Sequence, residues 1–336
     1  MTKTFDFIVI GNNWASSLMA ARLSQKGSCL RIHTKEMLGS RGASLNDSAQ
    51  YMPFSDISDS CFSFLGMSAE TKTVQSLTVT SGQVVPFVGF GPKKFPANDY
   101  IKAWSSSQWL KLNKNFNSWS SEFADTFSGE SLVGHNVTSV TPSYAGATVR
   151  VNGEEYFSNK VFYCDEFGEL IKVLPKSFVP QKAIKKVGVQ SHWAMACYEF
   201  ENTEAQAQTD QPHILWSEKE NYNPCIGQFS ETSGFTKSSW WCLFSKEYVD
   251  DVEETAKVLK FMKKQIKRAY PEFFNNLAQE RVTINENFMS ICEGSSQDLK
   301  SAWDHEALSV LVLGESELIP PLGTVEAAYK AIEAHL

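Results

Sequence analysis

The stretch FDFIVIGNNWASSLMAARL, Phe5 to Leu23, limits the possible folds more than any other part of the chain. An apolar run of strand type, Phe5 to Ile10, meets Gly11 and passes into a small-residue helical pattern with Leu18, Ala21 and Leu23 at core spacing. GSCLRIHT, Gly27 to Thr34, then ends the helix at a glycine and enters a second strand, in which Cys29, Arg31 and His33 alternate with Leu30 and Ile32. Strand, tight turn, helix and strand make a β-α-β unit, the seed of a parallel sheet.

Such a unit holds a dinucleotide when its turn reads G-x-G-x-x-G. The first glycine makes the turn, the second lets the backbone approach a pyrophosphate, and the third lets helix and strand pack closely. The three places here hold Gly11, Asn13 and Ser16. Asparagine tolerates positive φ and serine is nearly as small as glycine, so the turn is weakened and not erased. The acidic residue that commonly grips the ribose falls, counted from Gly11, on Thr34, whose hydroxyl offers one hydrogen bond in place of a bidentate carboxylate. LGSRGAS, Leu38 to Ser44, follows at once, a glycine- and serine-rich loop whose Arg41 suits an anionic group.

Further along, LTVTSGQVVPF reads as a hairpin around Ser81 and Gly82. Asn98 to Phe127 reads as helical, with Trp104, Trp109, Phe116, Trp119 and Phe123 forming a core stripe. From Gly134 to Pro175 short alternating strands with turns at Ala145-Gly146 and Asn152-Gly153 suggest a small antiparallel meander, returning to the first sheet through the buried strand KVFYC, Lys160 to Cys164. Pro180 to Val249 reads as an antiparallel sheet in a second region, and Val252 to Arg268 as a charged helix. In the tail, Leu308 to Leu313 is a parallel-type strand, Gly314 a turn, and Gly323 to Leu336 a helix whose N-terminus offers free N–H groups to an anion.

At 336 residues the chain has room for two domains. Its net charge of -7 argues against a nucleic-acid partner, which calls for a basic surface. The seven cysteines are scattered and never spaced C-x-x-C, which fits reduced thiols, and the six histidines are equally dispersed, so no metal is expected. No stretch is apolar for long enough to span a bilayer, and a cytoplasmic protein acting on a small molecule is the expectation.

Taken together these blocks resemble the FAD-dependent amine oxidase family, including its shorter renalase-like members. VIGNNWASSLMAARLSQKG stands where that family has G-x-G-x-x-G, and LGSRGAS where it has its G-G-R-x-x-S/T loop. NVTSV matches the strand that contacts the adenine, KVFYCDEFGELIKVLP the strand-to-helix stretch, and LGESELIPPLGTVEAAYKA the C-terminal G-E signature. The resemblance implies an α/β fold: a Rossmann-type FAD/NAD(P)-binding domain from residues 1–70, 130–178 and 300–336, and an inserted α+β substrate domain of antiparallel sheet plus helices from 71–129 and 179–299. It implies FAD as cofactor, with Gly11, Asn13, Ser16, Thr34 and Arg41 along the adenosine diphosphate and Val137 at the adenine. Gly314, Glu315 and the helix start at Gly323, Thr324 and Val325 would lie near the flavin and ribityl. Asn13, Ser16, Thr34, Ser40 and Ala327 depart from the family pattern. So does the strand VGVQSHWAMACYEF, which offers His192 and Trp193 where many members carry a lysine.

Three functions stay open on the sequence. One is an FAD-dependent oxidoreductase of amine-oxidase type, transferring a hydride from a small molecule to flavin N5, its pocket lined from His192, Trp193, Tyr222, Trp240 and Trp241. Another is a descendant of the fold that has lost FAD and serves as a binding or escort module for a protein partner. The third is a nicotinamide-dependent enzyme without flavin, which gives the C-terminal block no role.

Overall fold

The computed structural model describes residues 2–11, 14–33, 51–53, 72–98, 101, 108–111, 122–164, 167–179, 181, 184–185, 191–203, 211–232, 235–291, 308–310 and 333. In chain order the strands begin with β1 (Lys3–Ile10), β2 (Cys29–His33), β3 (Tyr51–Pro53), β4 (Lys72–Gln75), β5 (Leu77–Thr80) and β6 (Gln83–Pro86). They continue with β7 (Gln108–Lys111), β8 (Glu130–Val133), β9 (Val137–Ser143), β10 (Gly146–Val151), β11 (Glu154–Tyr163) and β12 (Ser191–Asn202). β13 (His213–Leu215), β14 (Cys225–Thr232), β15 (Phe235–Ser245), β16 (Leu277–Ile291) and β17 (Leu308–Val310) complete them. Three helices matter below: α1 (Trp14–Leu23), α2 (Phe167–Val173) and α3 (Val252–Ala269).

The first sheet runs β8-β2-β1-β11-β10-β9, with β17 beside β11. β8, β2, β1, the second half of β11 and β17 are mutually parallel, and β9 and β10 form the antiparallel meander expected before the return strand. β11 pairs with β1 along most of its length, but on its other side it pairs first with β10 (Glu154 to Ser158) and then with β17 (Val161 to Tyr163). The apolar run Ile8-Val9-Ile10 is fully buried because helices or strands cover both faces. Leu30, Ile32, Val161 and Tyr163 join Ile8 and Ile10 in one core with Leu170 and Leu174 of the α2 segment. The Asp6 carboxylate accepts the Ser28 backbone N–H and hydroxyl, each at 2.8 Å, and so clips the entry of β2 onto β1.

The second sheet runs β16-β12-β15-β14-β13-β5-β6 and is largely antiparallel, with a parallel contact between β13 and β5. Alternation along β12 and β15 splits their side chains between two cores. Ala194, Ala196, Tyr198, Phe200, Trp240, Cys242 and Phe244 face α3, and Trp193, Met195, Cys197, Trp241 and Leu243 face Phe87, Phe95 and Trp109. Gly227 lies opposite Trp240, where a Cβ would come within 2.1 Å of the indole. The glycine is the space the tryptophan occupies.

Helix α3 is amphipathic, burying Val258, Phe261, Met262, Ile266 and Ala269 at helical spacing. Each of its larger apolar side chains contributes about 1.5–3 kcal/mol by burial. Asp251 caps it, accepting from the N–H groups of Glu253 (2.9 Å) and Glu254 (3.1 Å), and Lys267 and Arg268 meet the negative end of the dipole.

One expectation fails. The span from Asn98 to Phe127 is not one helical region: β7 interrupts it and pairs antiparallel with β3 and β4 in a third, three-stranded sheet. Trp109 lies on that strand, fully buried, so its core role holds while its secondary structure does not. The hairpin at Ser81-Gly82, the meander, the helix beginning at Val252 and a parallel strand at Leu308 are present as expected.

Candidate functional site

The parallel strands end in register along one edge: Ile10 pairs with Ile32 and Tyr163, His33 with Val133, and Tyr163 with Val310. The chain leaves β1 with β2 on one side and β11 on the other, so connections depart in opposite directions around β1. Open α/β sheets bind ligands in the crevice at such a switch point.

Gly11 sits at that crevice. Its N–H donates to the Ile32 carbonyl (3.0 Å), and the neighbouring Ile10 carbonyl accepts from the Cys164 N–H (2.7 Å). Its φ of +148° lies where side-chain-bearing residues are strained, and a Cβ there would stand 2.7 Å from the Cys164 carbonyl oxygen. The turn therefore requires glycine at its first position, as the fingerprint does.

Ser16, at the third position, is buried, and its hydroxyl accepts from the Arg31 guanidinium (3.3 Å), which donates to Ser17 as well (2.6 Å). Arg31 is only 3% exposed. Burial lowers its pKa to about 10, which still leaves it charged at neutral pH. Among the described residues no carboxylate reaches it. His33, next on the same face of β2, is also buried; burial and the Arg31 charge push its pKa down to about 4, so it is neutral, and its Nδ1 has no partner. Burial pushes the Cys29 thiol up to about 12, which makes it a poor nucleophile.

The structure thus brings Gly11 and Ser16 to one place. Val137 opens β9 just past the end of β8, half-buried. Asn13, Thr34, Arg41, Gly314, Glu315, Gly323, Thr324 and Val325 lie outside the described residues. Arg31 does not stand out in the sequence, because its alternation with Leu30 and Ile32 reads as a solvated face.

On the second sheet, Trp193 and Tyr222 line one cleft of about 550 Å³ with Phe244, Tyr248, Glu220 and Glu254. Trp193 is 8% exposed and its indole N–H has no acceptor. The Tyr222 ring lies 4.9 Å from that of Phe261. Glu220 and Glu254 are paired with Lys264 (3.1 Å) and Lys257 (2.5 Å), so the wall carries little net charge. The other candidates are not brought there. His192 is exposed at the start of β12, Trp240 is enclosed in the α3-side core, and Trp241 belongs to the Trp109-side core. Adjacent residues of a strand face opposite ways, so Trp240 and Trp241 cannot share a pocket. Among the described residues there is no cluster of metal-ligating side chains, the cysteines are buried and form no disulfide, and no helix is long and apolar enough to cross a membrane.

No family model matches the chain, and no curated protein matches it in sequence. Solved structures share its fold across nearly the whole length. An oxidoreductase from Methanosarcina mazei superposes with a TM-score of 0.70 at 10% identity, covering 97% of this chain and 99% of its own. Cyclohexylamine oxidase from Brevibacterium oxydans gives 0.66 at 10% identity and 98% coverage of both chains. A myxobacterial chondrochloren halogenase, a variant of the FAD-dependent halogenases, gives 0.57 at 11% identity, covering 99% of this chain and 74% of the other. The fold is thus a mixed α/β fold of Rossmann type, with a parallel sheet and a second, mainly antiparallel one.

Proposed function

We propose that the chain is an FAD-dependent oxidoreductase of amine-oxidase type that acts on a small molecule. The observation that carries the reading is the crevice at Gly11. There the backbone admits no side chain, and a buried guanidinium, with no carboxylate against it among the described residues, stands beside the opening of α1. Both features suit an anionic diphosphate, so the residues present fit the cofactor. The shared fold of cyclohexylamine oxidase and of an FAD-dependent halogenase supports the same choice.

In this reading residues 1–70, 130–178 and 300–336 make the cofactor domain, and 71–129 and 179–299 the substrate domain. Gly11, Asn13, Ser16, Thr34, Arg41 and Val137 hold the adenosine diphosphate part, and Gly314, Glu315, Gly323, Thr324 and Val325 the flavin end. Bound there, the flavin supplies a hydride acceptor at N5. The protein's task is then to align and enclose the substrate, which explains why the sequence shows no nucleophilic triad. Trp193 and Tyr222 offer aromatic walls to a flat or cationic molecule. The protein works in the cytoplasm.

A second reading has its own observation. The Ser16 hydroxyl, absent from a glycine, is engaged by Arg31, so the close helix-strand contact of the fingerprint has been rebuilt around a polar pin. A chain released from cofactor binding and used as a protein escort would tolerate this change.

The absorption spectrum between about 300 and 550 nm, recorded after incubation with excess FAD and desalting, separates the two. Retained flavin bands support the oxidoreductase and lead to a screen of amines for peroxide formed under air. A colourless protein supports the escort.

A further inference from the structure

Arg31 pins α1 to β2 through Ser16 and Ser17, but that contact does not neutralise its charge. Its position in β2 opposite Val9 is covered by α1, and Cys29 on the same face shows that an uncharged side chain is accommodated there. A charge taken out of water normally has an opposite charge beside it. Arg31 has the hydroxyls of Ser16 and Ser17, the third and fourth residues of α1, and its Nε has no partner at all. Beside it the His33 Nδ1 is likewise without a partner. A cation and the positive end of a helix are thus packed together with nothing negative between them among the described residues.

We propose that Arg31 is an anion anchor. Its guanidinium, fixed by Ser16 and Ser17 beneath the opening turns of α1, is the counter-charge for a phosphate of the bound dinucleotide. The proposal rests on the nucleotide reading of this crevice and explains its departures. Asn13 replaces the glycine that lets the backbone approach a pyrophosphate, and Thr34 replaces the ribose carboxylate. A fixed positive charge at the same helix restores attraction without needing either. Attraction through a guanidinium acts on any adenine nucleotide carrying a diphosphate, whether or not a flavin is attached.

The test uses the full chain with ADP, adenosine and FAD as probes, by calorimetry and thermal melting. ADP is expected to bind and raise the melting temperature, and adenosine to do neither. Arg31→Met is expected to bind ADP about 10- to 100-fold more weakly, the loss that follows from removing a charged hydrogen-bonding group. Its unliganded melting temperature should equal or exceed that of the wild type, since an uncompensated buried charge is gone. Arg31→Lys should fall between the two in affinity, keeping the charge but not the fork. Arg31→Met that binds ADP as the wild type does overturns the proposal, as does a wild type that ADP and adenosine stabilise equally; the second comparison needs no variant to fold. A wild type that binds ADP through Arg31 but retains no FAD refutes the oxidoreductase and leaves the anchor standing. A yellow protein whose FAD and ADP affinities survive Arg31→Met does the reverse.

Discussion

Two histidines held neutral in the interior make the chain sensitive to mild acid. His213 is fully buried on β13, its ring 5.5 Å from that of Phe229 and 5.4 Å from that of Tyr270, and burial lowers its pKa to about 3. His33 is lowered to about 4 by burial and by Arg31. In the unfolded chain both accept a proton near pH 6.5, whereas the folded chain holds it off until about pH 4 at His33 and about pH 3 at His213. The stabilisation from keeping each imidazole neutral is therefore complete above pH 6.5. It falls away as the pH drops towards the folded-state values and is constant below them. At pH 4.5, two units below the unfolded-state pKa, each site costs about 2–3 kcal/mol at 1.36 kcal/mol per unit.

The assay is urea unfolding of the wild type and His213→Phe at pH 7 and at pH 4.5. Carboxylates titrate alike in both proteins, and any packing cost of the phenylalanine is nearly the same at both pH values, so the difference between the two pH-induced losses isolates the histidine. The wild type should lose about 2–3 kcal/mol more than the variant between the two conditions. Equal losses would refute the claim that a buried neutral imidazole drives the acid response.

Gly11→Ala meets the Cys164 carbonyl at 2.7 Å and a strained φ, and should cost about 2–5 kcal/mol, seen as a melting temperature lower by about 5–15 °C. Asn13→Gly restores the second fingerprint glycine and should tighten FAD binding at least about 10-fold by fluorescence quenching, a gain of 1.4 kcal/mol; an unchanged affinity counts against a diphosphate at this turn. Asp251→Ala removes the cap of α3 and should cost about 1 kcal/mol in urea unfolding while leaving nucleotide binding untouched.

The β1-α1-β2 unit, the meander and α3 could be read from the sequence because each is local: an apolar run, a turn dipeptide or a helical repeat suffices. β7 could not. Its partners β3 and β4 lie far back in the chain, and aromatic residues at spacings of three, four and seven fit a helix until those partners are known. The site was half legible. Gly11 announces itself because only glycine fits against Cys164, but Arg31 was hidden by its own alternation. A polar residue at every second place suggests a solvated face, and here that face lies under a helix. Trp240 and Trp241 wall different cores, since neighbours on a strand diverge whatever the fold.

The double life of β11, bound to β1 along one side and shared between β10 and β17 on the other, sets an order of events during synthesis. Lys3 pairs with Tyr156 and Val161 with Leu308. β1 leaves the ribosome well before β11 and must wait for it with one side bare, and β11 then waits in turn for β17. Chains arrested between those points would expose a strand edge able to pair with other nascent chains, so products that stop before β17 should aggregate where a chain carrying it does not.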